Sequence, residues 1–298
     1  MKKKFALFPF IFAAAAFLPA CAANSVLFDG HPESVAEDDD VFYVACIGKT
    51  MTPTAKDGDG FIATMNARGK ILSPNAFPNV RLDAPKGALV EDGVLYVADV
   101  DRVVGISVRA GIVVRTFDFS KENTKFLNDL AEKDGFLYVS ATDIGKIFRI
   151  DLRGGAYSEL KTTEPLDAPN GLAIEDGVLY VAEYATGADG APAGKIKALP
   201  LGGAAGTPVP VSVVRDVPGL YDGIAVEEEE DLFGRESDWL YFSDWAANGR
   251  PGAVKKMNLR THEVKDAVSV PVNGPADFIV EDGKIYLPAM LDKKVVVE

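Results

Sequence analysis

Glu33, Lys86, Asn128, Asn170, Asp222 and Asp277 occupy matching places in six similar stretches of the sequence, separated by 53, 42, 42, 52 and 55 residues. Each stands just before, or at the start of, a short apolar run. Glu33, Asn128, Asn170 and Asp222 all offer oxygen. Converging carboxylates and amide carbonyls suit a hard divalent cation such as Ca²⁺. Carboxylates confined together also repel one another, and a cation removes that cost. Lys86 differs, because its ammonium could pair with Glu33 or Asp277 and compete with a cation for the space. The bland alternative is a polar, hydrated plug without metal.

The elements that must bring these residues together are written most clearly in the fourth stretch. Leu172-Ala173-Ile174 is an apolar run, Glu175-Asp176-Gly177 is hairpin-turn chemistry, and Val178-Leu179-Tyr180-Val181 is a β-branched and aromatic strand. The unit recurs with turns at Asp38-Asp39-Asp40, Glu91-Asp92-Gly93, Lys133-Asp134-Gly135 and Glu281-Asp282-Gly283. In the fifth copy an acidic insert, Glu227-Glu228-Glu229-Glu230-Asp231, replaces the turn. One or two further strands follow each hairpin, as in Arg102–Ser107 and Ile112–Phe117 after the second. Four strands in each repeat of about forty to fifty residues is the pattern of a β-propeller blade. The spacing therefore predicts an all-β, six-bladed β-propeller with four-stranded antiparallel blades. The last copy supplies three strands, ending in Lys294-Val295-Val296-Val297, so Ser25-Val26-Leu27-Phe28 is expected to complete that blade and close the ring. No stretch has helical periodicity.

In such a ring the first strand of each blade lines the central channel. The six polar positions then meet at one end, with the Asp-Gly hairpins at the other. The loops after the second strands share the end of the polar ring. Three are long: 46–60, 183–194 and 243–252. They would form a substrate funnel displaying Lys49, Tyr184, Trp245, Asn248 and Arg250. The acidic insert falls on the other face, as a solvated run.

The chain has 298 residues, 48% apolar and 25% charged, a globular composition. Its first twenty residues stand apart. Lys2, Lys3 and Lys4 precede the apolar run Phe5–Phe17, which is short for a membrane span and reads as a signal-peptide core. The run ends in Leu18-Pro19-Ala20-Cys21, which resembles a bacterial lipobox with Cys21 as the lipidated residue. Cleavage within Ala20-Cys21-Ala22 as an ordinary signal site is the rival. The expected organisation is residues 1–20 as signal peptide and 21–298 as one propeller. The expected location is the cell envelope, facing the periplasm, with the outer membrane slightly preferred. Cys46 would be a buried, inert thiol. Removing three lysines takes the formal charge from −13 to −16. That argues against nucleic acid and anionic membrane surfaces, leaving the lipid anchor as the membrane contact. A monomer acting on a small-molecule substrate is expected.

Other motifs fail. Gly48-Lys49-Thr50 lacks the leading glycine and following helix of a phosphate-binding loop, and Arg68 stands where an EF-hand starting at Asp57 needs its closing ligand. His31 and His262 are the only histidines, and no Gly-x-Ser-x-Gly is present, which disfavours a histidine-based triad.

Taken together, Glu33, Asn128-Asp129, Asn170-Gly171 and Asp222-Gly223 resemble the metal-site motifs of the senescence-marker-protein-30/gluconolactonase family, and more distantly those of strictosidine-synthase-like and paraoxonase-type propellers. The resemblance spans nearly the whole mature chain at the level of repeats. It implies a calcium or other divalent-metal site at Glu33, Asn128, Asn170 and Asp222, with Lys86 and Asp277 beside it. It further implies a lactone or ester hydrolase in which Asp222 or Asp129 activates water. The sequence departs from the family at Ser34-Val35, where many sugar lactonases have Gly-Pro, and at Phe126, where they place a substrate-binding arginine. A non-catalytic, NHL-like propeller lipoprotein that binds a ligand or protein through its long loops is the alternative.

Overall fold

The computed structural model describes residues 24–203, 206–230, 236–245 and 251–298. These form six four-stranded antiparallel sheets, five of them ordered from the axis outward along the chain and the sixth completed by the first strand, and the sheets are the blades of a β-propeller. The innermost strands are Pro32–Asp38, Pro85–Glu91, Leu127–Lys133, Pro169–Glu175, Tyr221–Glu230 and Ile279–Glu281. Among the described residues, helix is confined to three single 3₁₀ turns, and no helix is long and apolar enough to cross a membrane.

The hairpins follow from their turn residues. Asp176 has φ 49° and Gly177 φ 74°, and the same pair of positive values recurs at Asp92-Gly93, Asp134-Gly135 and Asp282-Gly283. Two consecutive positive φ angles define the hairpin turn whose twist matches that of the flanking strands. Apolar residues from facing sheets then fill the space between blades. Ala36, Tyr43 and Ile62 of the first blade, for example, pack with Leu95, Val97 and Val104 of the second.

The ring closes as expected. Asn24–Leu27 pairs antiparallel with Lys294–Val297 and becomes the outer strand of the sixth blade. Val26 and Phe28 share a core with Tyr286 and Val295 of that blade and with Val35 and Phe42 of the first. Burying these side chains across the seam joins the chain's two ends by roughly 1.5–3 kcal/mol per large residue.

A device the sequence did not announce holds the entry to three of the inner strands, in blades two, four and five. A carboxylate at the end of a second strand accepts backbone N–H groups from the segment approaching the axis. Asp99 takes those of Asp83 and Ala84 at 3.0 and 2.7 Å, Glu183 that of Asp167 at 2.7 Å, and Asp244 that of Leu220 at 2.9 Å. Such charge-assisted bonds fix where the strand begins, and so where its first side chain points.

The acidic insert is not simply solvated. Its glutamates extend the inner strand of blade five, which pairs as far as Glu230 with Glu236. Glu229 accepts from Lys256 Nζ at 2.6 and 2.7 Å. Asp231 lies outside the described residues.

Candidate functional site: a ring of oxygens at the channel axis

Every inner strand of the first five blades carries a register shift near its start. The shifts fall between Pro32 and Ser34, Pro85 and Ala88, Leu127 and Leu130, Pro169 and Leu172, and Tyr221 and Ile224. Glu33, Lys86, Asn128, Asn170 and Asp222 all sit inside these shifts. A bulge re-aims the side chain it contains. Here it turns five polar groups out of the blade alternation and into one cavity.

The glycines beside them are packing residues. A Cβ on Gly171 would lie 2.1 Å from Asp222 O, and one on Gly87 2.5 Å from Asp129 Cα. Adjacent inner strands approach too closely at the axis for any side chain. The Asn-Gly and Asp-Gly pairs therefore mark the axis itself, whereas Asp-Gly in the hairpins marks turns.

The sixth position is corrected by the structure. Counting five residues back from the turns at Lys133 and Glu175 gives Asn128 and Asn170, and the same count from Glu281 gives Ala276. The contacts agree. A Cβ on Gly223 would strike Ala276 O and Asp277 Cα, just as one on Gly87 strikes Asn128 O and Asp129 Cα. Ala276, fully buried, thus completes the ring. Asp277 is one residue further on and faces away, because successive strand side chains point to opposite sides.

The cavity over the ring has a volume of about 350 Å³ and is lined by Glu33, Lys86, Asn128, Asn170 and Asp222 at its floor, and by Tyr184 and Trp245 on its wall. Glu33 Oε2, Asn128 Oδ1, Asn170 Oδ1 and Asp222 Oδ1 are buried without a hydrogen-bond partner. An unsatisfied buried acceptor costs about 1–3 kcal/mol. Four at one point approach the whole stability of a domain, roughly 5–15 kcal/mol. A single water donates only two hydrogens and cannot serve all four. Two carboxylates and two amide carbonyls are the donor set of a hard cation, and four protein oxygens leave coordination positions for water or substrate. Among the described residues no group of three or more His, Cys, Asp or Glu side chains could hold a metal ion. This set reaches four through its two asparagines.

Burial on this floor disfavours charge on every titratable group it holds. Burial raises Glu33 well above the usual carboxylate range, with the Asp222 charge adding to it. Burial pushes Asp222 up to about 8. Lys86 is 1% exposed, and burial lowers it to about 8 against the opposing pull of Glu33. Its ammonium donates to Ala84 O at 3.0 Å and lies 4.8 Å from the centre of the Phe126 ring.

Asp129 and Asp277 belong to a second cavity, at the hairpin end of the channel. Asp129 accepts from Leu172 N at 2.6 Å and Leu130 N at 2.7 Å, and Asp277 from Ser34 Oγ at 2.6 Å. The two carboxyls share this end of the channel. Burial raises both, Asp277 to about 6 and Asp129 well above its ordinary value. Asp129 therefore has no access to a substrate over the ring, contrary to its expected role as a base.

Tyr184 and Trp245 reach the cavity as expected of the long loops. Lys49 does not line it and instead pairs with Asp29 at 2.8 Å on the surface. His31 is held at the rim by Nδ1 against Met290 O at 3.0 Å. Cys46 is fully buried, and burial raises its thiol far above the usual range. Asn248, Arg250, Cys21 and residues 1–20 lie outside the described residues. Phe126, which holds the place of the family's substrate-binding arginine, also lines the cavity, as do Ile47 and Met290, which were not foreseen as contacts.

No family model matches the chain, and no curated protein matches its sequence. Solved structures do resemble it. A streptogramin B lyase superposes with a TM-score of 0.58 at 14% identity, over 93% of this chain and 96% of that one. An auxiliary nutrient binding protein from Bacteroides thetaiotaomicron gives 0.63 at 10% identity, over 91% and 69%. A nidogen/laminin complex gives 0.57 at 17% identity, over 79% and 78%. At these identities the likeness is one of fold, and the fold is a six-bladed β-propeller.

Proposed function

We propose that this propeller holds a divalent cation, Ca²⁺ foremost, on Glu33, Asn128, Asn170 and Asp222, and hydrolyses a small lactone or ester over that ring. The reading belongs with the gluconolactonase-like resemblance of the sequence. The observation that carries it is the set of four partnerless buried oxygens converging from four blades. A cation bound there supplies a Lewis acid for a carbonyl oxygen and stabilises developing negative charge. The chain's own residues do the rest. Asn128 and Asn170 contribute neutral oxygens, which limits the negative charge on the floor. Asp222 is the carboxylate placed to take a proton from water. Tyr184 and Trp245, edge to face at 5.9 Å between ring centres, form a wall that orients a ligand and excludes water.

The test compares wild type with Asp222→Ala after EDTA treatment. Wild type should gain thermal stability on adding Ca²⁺, by about 2.7 kcal/mol at a hundredfold excess over Kd. It should also hydrolyse lactones only with metal, and the variant should do neither. Wild type with no calcium response and no esterase or lactonase activity would sink the reading.

One observation favours a second reading. Lys86 places an ammonium near Glu33 and can offset that carboxyl's charge without metal. On that reading the protein is a non-catalytic binding propeller, and the nutrient-binding fold neighbour is in keeping with it. Under either reading we place the domain on the periplasmic side of the envelope through lipid on Cys21. Cys21→Ser expressed in a bacterial host should move the protein from the membrane fraction to the soluble one, and unchanged partitioning would count against the anchor.

A further inference from the structure

A further cavity, of about 450 Å³, opens between blades three and four, away from the axis. It lies toward the hairpin end, because Leu201 on its wall donates its N–H to Gly177 O, in the blade-four hairpin, at 2.8 Å. One wall comes from blade three. There Tyr138, Arg149 and Ser158 stand opposite one another on successive strands, and so share the face turned to blade four. Tyr138 packs on that side with Leu199 and Val209 of blade four. The other wall is Leu201 with the segment 207–210. Two backbone bonds tie the walls together, Val209 N to Lys161 O at 2.8 Å and Thr163 N to Val209 O at 2.9 Å.

The charges of this groove do not balance within it. Its carboxylate, Glu159, is taken by Lys146 Nζ at 2.7 Å. Asp151, also near Arg149, accepts instead from Arg153 N at 2.8 Å and Gly154 N at 2.9 Å. Arg149 is half-buried, its guanidinium 4.5 Å from the centre of the Phe136 ring, and Lys161 stands exposed beside it on the groove. Among the described residues neither cation has an ion-pair partner. In a chain of 44 acidic and 31 basic residues, two neighbouring cations without a carboxylate are a local exception. A guanidinium held against an aromatic ring still has its planar N–H fork to offer a carboxylate.

We propose that this groove binds a small monocarboxylate with a hydrocarbon tail. The carboxylate sits on Arg149 and Lys161, and the tail lies against Tyr138, Leu160, Leu201 and Pro208. The site is separate from the axial ring, and its occupancy does not depend on a cation there. Two cations favour an anion, while Glu159 on the same groove disfavours a second negative charge on it. The apolar wall sets the rest of the ligand. Leu160 and Leu201 offer no polar side-chain atom, and Pro208 and Pro210 lack even a backbone N–H. A hydroxyl-rich tail would lose its water there with little in return. A hydrocarbon tail gains, each buried methylene being worth about fourfold in affinity. The volume, about 450 Å³, lies within the range of small-molecule sites and holds one ring with a short chain.

Isothermal titration with 4-phenylbutyrate, without added metal, tests this. Wild type should show one saturable site. Two probes divide the ligand into its parts. 4-Phenylbutanol keeps the tail without the charge, and acetate keeps the charge without the tail. Each should bind at least about tenfold more weakly than 4-phenylbutyrate. Arg149→Gln removes the guanidinium and should weaken 4-phenylbutyrate by about tenfold or more, while leaving 4-phenylbutanol unchanged. Should that variant fail to fold, Lys161→Glu at its exposed position should weaken 4-phenylbutyrate about threefold or more with no change in Tm. No saturable binding to wild type overturns the proposal. So does an alcohol or acetate that binds as tightly as the acid, or an acid affinity unmoved by Arg149→Gln or, where that variant is unfolded, by Lys161→Glu.

Discussion

Replacing Lys86 by Met separates a cation site from a self-neutralised plug. Methionine keeps the length of the side chain and its contact with Phe126, and removes the ammonium and its bond to Ala84 O. The lost bond leaves a buried carbonyl without its donor, at a cost of about 1–3 kcal/mol. With Tm moving roughly 2–4 °C per kcal/mol in proteins near this size, the metal-free variant should melt roughly 2–12 °C lower. Calcium affinity should change in the opposite direction. Unit charges 4 Å apart at an effective dielectric of 20 interact by about 4 kcal/mol. A dication and an ammonium at about twice that separation interact as strongly before screening. With on the order of 1–3 kcal/mol surviving screening, Lys86→Met should bind Ca²⁺ roughly 5- to 150-fold more tightly. Isothermal titration of EDTA-treated protein at pH 7.5 reads the affinity, and calorimetric melting reads the stability. Unchanged or weaker calcium binding in the variant would refute the reasoning, as would a stability loss that calcium does not repair.

Two further outcomes follow from the buried carboxyls and close strand packing of the channel. Glu33, Asp222 and Asp277 are all raised by burial, the last two to about 8 and about 6. The folded protein therefore holds protons that the unfolded chain releases above pH ~4, and metal-free stability should fall as pH rises toward 8, by up to about 1.4 kcal/mol per unit for each group. Lys86, lowered to about 8, acts oppositely between there and its ordinary value, where stability should recover. Calcium should flatten the decline by replacing protons on Glu33 and Asp222, and a metal-free Tm that climbs from pH 5 to 8 would contradict the burial argument. Gly171→Ala would drive a Cβ to 2.1 Å from Asp222 O. It should cost at least about 1–3 kcal/mol and weaken the calcium response, and a near-neutral effect on both would show that the two inner strands are not held that close.

The blade count was legible because each hairpin carries its own turn residues. The positive φ at Asp176 and Gly177 is what an Asp-Gly pair supplies, and the pattern recurs in four blades. Ring closure was legible because an unpaired strand at each end of the chain leaves one economical pairing. The cavity floor was legible only in outline. Glu33, Asn128, Asn170 and Asp222 do meet at the axis, but the bulges that aim them have no residue signature beyond the neighbouring glycines. In blade six the ring position is Ala276, one residue before Asp277, and an alanine carries no mark of a channel position. A slip of one residue exchanges the faces of a strand. That offset sets Asp277 with Asp129 at the far end of the channel rather than in the ring. The carboxylates Asp99, Glu183 and Asp244, which fix the start of the inner strands, were visible as residues. Their backbone partners are 15 to 24 positions away and become apparent only in three dimensions.

The central claim is that the four partnerless oxygens hold a cation. Crystals grown in Ca²⁺ and measured for anomalous scattering address it directly. The account predicts one anomalous peak on the channel axis, about 2.3–2.6 Å from Glu33 Oε2, Asn128 Oδ1, Asn170 Oδ1 and Asp222 Oδ1, absent from crystals grown in EDTA. Well-ordered density with no anomalous signal on the axis, and the Lys86 ammonium swung in among those oxygens in both crystals, would contradict it.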